Sequence, residues 1–248
     1  TLKSWIIMAF NLIGLGLDVN SISADALVAV KKCGVVYLEN YTVNFPYSVE
    51  ELSESLSVDV VELSREKVED ESVIEESREK NVAFLVYGDC LSATTHIQFI
   101  SKCKKEKINY NIFQNASILL AIARTGLSPY KFGKVTSMPS WKEHTNKPTS
   151  FISYIKDNSS ICAHSLILTD IGLALCDSLE QLSESCGKEK FNLPEKIIVV
   201  SNAGTKNEKI YFDSIDNLKK AEISMPFCLI VPHELHFAEE EALEVLKE

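Results

Sequence analysis

Phe10-Asn11-Leu12-Ile13-Gly14-Leu15-Gly16-Leu17-Asp18 is a near-continuous apolar run that stops on two glycines. An unbroken run of this kind predicts a strand buried on both faces rather than an alternating, half-exposed one. Glycines at its end let the backbone turn tightly, or approach a ligand, with no Cβ in the way. Similar runs recur at residues 35–39, 58–63, 82–86 and 110–113, and stretches of helical period lie between them. Ser21 and Ser23 offer caps ahead of Asp25, and Ala26, Leu27, Val30 and Cys33 follow at helical spacing. Residues 93–105 put Ile97, Ile100 and Cys103 on one face and end in a lysine-rich turn that suits the helix dipole. Strands alternating with helices imply parallel strands joined by crossovers, an α/β fold.

Beyond residue 130 the character changes, with Gly133, Pro139, Trp141 and Pro148 in quick succession. A boundary near residues 131–134 gives a first α/β domain over 8–132 and a second over 133–248, with residues 1–7 an extension ahead of Met8. Strands are expected in the second half at 165–169, 196–201, 209–212 and 227–231, and helices at 150–156, 173–185 and 234–247. Asn202-Ala203-Gly204-Thr205 between two strand-like runs predicts an antiparallel hairpin, so the second sheet is expected to be mixed.

The 248 residues are 46% apolar and 24% charged, which excludes disordered, collagen-like and coiled-coil classes. Net charge is −10 (25 basic against 35 acidic residues), with no basic block, so no nucleic-acid partner is expected. Lys3 and the apolar stretch 5–17 loosely resemble a secretory signal, but Asn11, Gly14 and Gly16 interrupt it. A bilayer crossing needs roughly 20 apolar residues, so no membrane association is expected. Seven cysteines (33, 90, 103, 162, 176, 186 and 228) form no C-x-x-C pair or zinc-ribbon spacing. They read as reduced thiols of a cytoplasmic protein, used mostly as small hydrophobes.

Gly14-Leu15-Gly16 with Glu39 at the end of the second strand admits a Rossmann dinucleotide site, yet Val19 stands where a third glycine belongs. Gly88-Asp89-Cys90-Leu91-Ser92-Ala93-Thr94-Thr95-His96 follows the fourth strand. Loops at the carboxyl ends of parallel strands are where ligands bind. Asp89 there is either an acceptor for a ligand or, with Thr94 and Thr95, a cap for the next helix. Asn115-Ala116-Ser117-Ile118 after the fifth strand poses the same choice. His233-Glu234-Leu235-His236 has histidines at i, i+3 rather than the i, i+4 of a zincin helix, so no metal site is assigned. His96, His144 and His164 have no partner by sequence signature, no nucleophile–base set can be assembled, and Trp141 and Phe151 are expected to pack.

Taken in order, these segments resemble the diphthine synthases, a branch of the tetrapyrrole-methylase-like (class III) methyltransferases. The shared motifs are residues 10–18, Lys31-Lys32-Cys33, Glu39-Asn40-Tyr41-Thr42, Leu63-Ser64-Arg65-Glu66, 82–85, the ATTH-containing 88–96, and Asn115-Ala116-Ser117-Ile118. They continue with Gly126-Leu127, Tyr130-Lys131-Phe132-Gly133, Pro148-Thr149-Ser150, 168–171, Ala203-Gly204 and 229–236. The resemblance implies the two-domain tetrapyrrole methylase fold and methyl transfer from S-adenosylmethionine, with S-adenosylhomocysteine as product. It implies a protein substrate, the 3-carboxy-3-aminopropyl-histidine of translation elongation factor 2. The form of the Asn115 segment points to the eukaryotic branch, which trimethylates the amine and also methylates a carboxylate, giving diphthine methyl ester. Homodimerisation is implied by the resemblance alone. Displacement from a sulfonium has a neutral leaving group and requires neither a metal nor a covalent nucleophile, so no catalytic side chain is nominated and positioning supplies the acceleration.

By motif, cofactor contacts fall on Leu17, Asp89, Ser92, Ser117, Ile118, Thr169, Ala203 and Phe227, in a cleft between the domains. Cys90 replaces the family's usual proline, Ser92 and Phe227 differ in type from relatives, and the stretch after Asp170 is short. A tetrapyrrole methylase of the same fold, or a cofactor-binding homologue without turnover, is the alternative.

Overall fold

The computed structural model describes residues 8–70, 72–144 and 146–247; the expected extension at 1–7 lies outside them. The chain divides into two compact units between Leu119 and Leu120. That is ahead of the boundary expected at 131–134; the short turn Pro129–Lys131 belongs to the second unit.

The first unit is a five-stranded sheet of β1 (Ala9–Gly14), β2 (Val35–Glu39), β3 (Val61–Leu63), β4 (Val82–Val86) and β5 (Asn109–Phe113). All neighbours are parallel and the order is β3-β2-β4-β1-β5. Every residue of β1 and β4 is buried, as their unbroken apolar runs require. Phe10, Leu12, Val82 and Phe84 face one layer, with α3 (Arg65–Glu69), α4 (Ser72–Glu75) and α5 (Ile97–Glu106) supplying Val68, Ile74 and Phe99. Ile13, Ala83 and Leu85 face the other, against Ala26 of α1 (Ala24–Val30) and Leu52 and Leu56 of α2 (Val49–Leu56). From β1 the chain crosses toward β2, and from β4 it crosses the other way toward β5. The switch point therefore lies between β1 and β4, where an open α/β sheet leaves room for a ligand.

Three expectations are corrected. Only the last three residues of the run at 58–63 pair as β3; Val58 and Val60 pack on the core outside the strand. The helix expected from residue 93 begins at Ile97, because Ala93 has φ +56° and cannot belong to a right-handed helix. Ile97, Ile100 and Cys103 are not a single buried face either: Phe99, Ile100 and Cys103 are buried and Ile97 is exposed.

After the short α6 (Ile118–Ala121), the second unit holds β6 (Thr136–Met138), β7 (Ser165–Thr169), β8 (Ile197–Ser201), β9 (Lys209–Asp213) and β10 (Phe227–Val231). Their order is β6-β7-β10-β8-β9, with only β6 and β7 parallel, so the sheet is mixed as expected. The expected hairpin is β8–β9, with Ser201 opposite Lys209. β6 escapes a sequence reading because a Thr-Ser-Met triplet has no pattern long enough to call a strand. The core gathers Met138, Phe151 of α7 (Phe151–Ser160), Leu179 and Leu182 of α8 (Leu175–Lys188), Leu218 of α9 (Ile215–Leu218), and Val199 and Leu229. The last helix, α10 (Phe237–Leu246), begins three residues later than expected, because His236 is its N-cap: its Nδ1 accepts from the Ala238 N–H at 3.3 Å.

Candidate functional site

The carboxyl ends of β1, β4 and β5 carry three loops that are tied to one another. Gly16 and Gly88 exchange backbone hydrogen bonds, N–H to O at 3.0 and 2.9 Å. A Cβ on Gly14 would lie 2.7 Å from the Gly88 oxygen, so the approach of the β1 and β4 loops itself demands glycine there. Gly16 has φ +76°, and a Cβ on it would lie 2.6 Å from Cβ of Ser21. The carbonyl of Leu17 accepts from the Tyr87 hydroxyl at 3.0 Å, which fixes the turn just past the glycines.

Asp89, 6% exposed, holds the β4 loop to the β5 loop. Its Oδ1 accepts from the Leu91 N–H at 3.0 Å and the Ser92 hydroxyl at 2.9 Å, and its Oδ2 accepts from the Asn115 N–H at 3.0 Å. The capping alternative for Asp89 is thereby removed: α5 starts eight residues later, and the carboxylate braces loops instead. Asn115 completes the tie. Its Nδ2 donates to the carbonyls of Gly14 (3.1 Å) and Ser21 (2.9 Å), and its Oδ1 accepts from the Ala116 N–H at 2.8 Å. Asn115 lies within the 115–118 motif but is not among the contacts that the resemblance implies. The signal available was an amide in a short turn, which cannot reveal partners about 100 residues away.

Ser117 is buried and its hydroxyl accepts from the Leu119 N–H at 3.2 Å; Ile118 is half-buried. On the face of Gly88 that lacks a side chain, a Cβ would meet the Ala116 oxygen at 3.6 Å, Leu17 Cδ2 at 3.8 Å and Ser117 Cα at 4.0 Å. Leu17 and Ser117, both contacts that the resemblance implies, flank one glycine-lined spot next to Asp89. This is a cradle of backbone groups and apolar walls, with a φ of +73° at Gly88 that favours glycine. It fits a group held through main-chain contacts.

In the second unit, Thr169, Ala203 and Phe227 gather at one end of the sheet. The Thr169 hydroxyl donates to the Phe227 carbonyl at 3.1 Å, and Phe227 lies opposite Ser201 across β10 and β8. The Asn202 N–H donates to the Pro226 carbonyl at 2.8 Å and leads into buried Ala203.

The buried titratable groups are structural. Burial pushes the Cys90 thiol up to about 12, helped by the adjacent Asp89 charge, so it is no nucleophile. His96 is not solitary: its Nε2 is 3.8 Å from Glu39 Oε2, and its ring stacks on Phe99 at 5.3 Å. Burial raises the Glu39 carboxyl and lowers the His96 imidazole, both toward their neutral forms. At 1% exposure Glu39 is turned to His96 and not to a nucleotide ribose, which removes the dinucleotide alternative. His164 is paired as well. Its Nδ1 accepts from the His233 N–H at 2.9 Å, so the proton sits on Nε2, 3.4 Å from Glu239 Oε1. Trp141 carries the ammonium groups of Lys147 and Lys188 at 4.7 and 5.1 Å over its ring, and Phe151 is in the core, so both pack as expected.

The family described as Tetrapyrrole (Corrin/Porphyrin) Methylases matches residues 9–219. Diphthine synthase of Methanococcus aeolicus is 35% identical over 251 residues, covering 96% of this chain and 97% of that protein. Diphthine synthase of Methanocaldococcus jannaschii is 35% identical over 253 residues, covering 96% and 98%. A crystal structure of diphthine synthase superposes with a TM-score of 0.87 at 32% identity, covering 96% of each chain.

Proposed function

The chain belongs to the tetrapyrrole (corrin/porphyrin) methylase family, in its diphthine synthase branch, and on that premise we propose the modified histidine of translation elongation factor 2 as its substrate. At the coarser level it is an S-adenosylmethionine-dependent methyltransferase of diphthamide biosynthesis. The proposed reaction trimethylates the amine of the 3-carboxy-3-aminopropyl group and methylates a carboxylate, giving diphthine methyl ester. The observation that carries this reading is similarity to diphthine synthases along nearly the whole of both chains. A homodimer acting in the cytoplasm is part of the same proposal.

The proposed contacts to S-adenosylmethionine are Leu17, Asp89, Ser92, Ser117 and Ile118 on the first unit and Thr169, Ala203 and Phe227 on the second. When bound, the donor supplies an electrophilic methyl on a sulfonium whose departure leaves a neutral thioether, S-adenosylhomocysteine. The residues of this chain hold and orient. Asp89 and Asn115 lock three loops before any ligand arrives, so little loop entropy remains to be lost on binding. Buried, thiol-form Cys90 supports that scaffold and forms no bond to substrate.

The test presents elongation factor 2 bearing the 3-carboxy-3-aminopropyl-histidine, and in parallel a porphyrinoid, to the purified chain with labelled donor. Mass spectrometry of the histidine peptide is expected to show three methyls on the amine and one more that mild base removes. Label entering the porphyrinoid and not the protein would support the tetrapyrrole alternative. Tight donor binding with no transfer to either would support a binding protein without turnover.

A further inference from the structure

We propose that Cys162, His233 and Glu234 form a binding site for one divalent transition-metal ion of the zinc type. One ligand atom from each lies within 4.8 Å of the others. Zinc bonds to S, N and O at about 2.0–2.3 Å, which puts ligand atoms of a tetrahedral site roughly 3.3–3.8 Å apart. A side-chain adjustment of about an ångström therefore closes the set around an ion. A thiolate, an imidazole and a carboxylate select zinc, cobalt or nickel over magnesium and calcium, which take oxygen ligands. Thiolate and carboxylate together also balance a dication.

Tertiary structure has already brought the ligands together. Cys162 sits at φ +58° in the turn after α7, with its N–H donating to Ser159 at 3.1 Å and the next N–H, of Ala163, donating to Asn158 at 2.9 Å. Three residues on, Ser165 of β7 pairs with Val231 of β10, two residues before His233. The His164 ring fastens the same two segments by accepting the His233 N–H. The Glu234 carbonyl accepts from Lys131 Nζ at 2.8 Å. That ammonium opposes a metal cation, but Glu239, 2.6 Å from it, neutralises it. Backbone anchoring on every side lowers the entropy lost when an ion is captured. The His233 Nδ1 is shielded from solvent and makes no hydrogen bond, and the Cys162 thiol is exposed and in no disulfide. His233 and Glu234 also line an open cleft of about 360 Å³, so water can complete the coordination shell.

This site stands at the opposite end of β7 and β10 from Thr169 and Phe227, about 13 Å along the strands at ~3.3 Å per residue. It is independent of the proposed donor contacts and its failure would leave them untouched.

Cobalt(II) titration of the reduced full chain tests it, followed by zinc displacement. One equivalent is expected to develop a thiolate-to-cobalt charge-transfer band. Cys162→Ser should abolish the band, and Cys162→Ser and His233→Ala should each weaken zinc at least tenfold. Cys176→Ser, at the other exposed thiol, should leave the band intact. Absence of the band, its survival in Cys162→Ser, or its loss in Cys176→Ser would overturn the proposal. In the unsubstituted chain, saturating zinc should slow Cys162 alkylation at least tenfold, mapped by peptide mass; no protection would equally overturn it.

Discussion

Replacing Asp89 by alanine removes the carboxylate that joins the β4 and β5 loops. Three donors lose their acceptor: the Leu91 and Asn115 N–H groups at 3.0 Å and the Ser92 hydroxyl at 2.9 Å. Hydrogen bonds to a charged group are worth roughly 1.5–3 kcal/mol each, but neighbours are not additive and water recovers part of the loss. With Asp89 at 6% exposure, a loss of about 2–4 kcal/mol in folding free energy is expected, read by urea denaturation. A domain stable by about 5–15 kcal/mol survives that loss, so binding remains measurable. Calorimetry with S-adenosylmethionine should then show affinity down by at least tenfold, about 1.4 kcal/mol. Asp89→Asn supplies the internal control. It keeps one carbonyl oxygen for Leu91 and Ser92 and sets an NH₂ against the Asn115 N–H, so the damage should concentrate on the β5 loop and be smaller. Wild-type stability in Asp89→Ala would refute the brace. Wild-type affinity alongside the expected stability loss would refute the placement of the donor.

Gly16→Ala should destabilise by about 2–4 kcal/mol, from a positive φ of +76° and a Cβ 2.6 Å from that of Ser21; the denaturation midpoint measures it. Burial would raise the Glu239 carboxyl, but hydrogen bonds from Lys131, from the His236 and Ser128 N–H groups and from His164 hold it down at about 2. A depressed folded-state pKa gives stability that is present above the unfolded value of about 4.5 and lost as pH falls from there through about 2. That contribution is on the order of 3 kcal/mol, so Glu239→Gln should flatten the acid limb of a stability–pH profile over that window. A native-state thiol reagent should label exposed Cys162 and Cys176 first, while buried Cys90, Cys186 and Cys228, each pushed up to about 12 chiefly by burial, stay unlabelled until unfolding.

How far the sequence carried depended on whether a feature was local. Val35–Glu39, Val82–Val86, Ser165–Thr169 and Phe227–Val231 were readable to the residue, because a strand that is wholly or largely buried writes itself as an apolar run; Val82–Val86 and Phe227–Val231 are buried throughout. The start of α5 was not, because the left-handed φ of Ala93 is imposed by the loop around it, and alanine is otherwise a good helix former. Asp89 was readable as important but not as a brace, since its partner Asn115 is 26 residues away. The pairing of His164 with Glu239 spans 75 residues, and nothing in either neighbourhood announces it.

Hydrophobic run lengths, glycine positions and motif order are properties of the chain itself, so sequence alone determined two α/β units, a parallel sheet followed by a mixed one, and the family. Which side chains meet is settled only when strands distant in sequence lie about 4.8 Å apart, for hydrogen bonds and metal ligation act over a few ångströms and carry no trace along the chain. The Asp89–Asn115 tie, the buried Glu39–His96 pair and the Cys162, His233 and Glu234 cluster therefore belong to the tertiary structure.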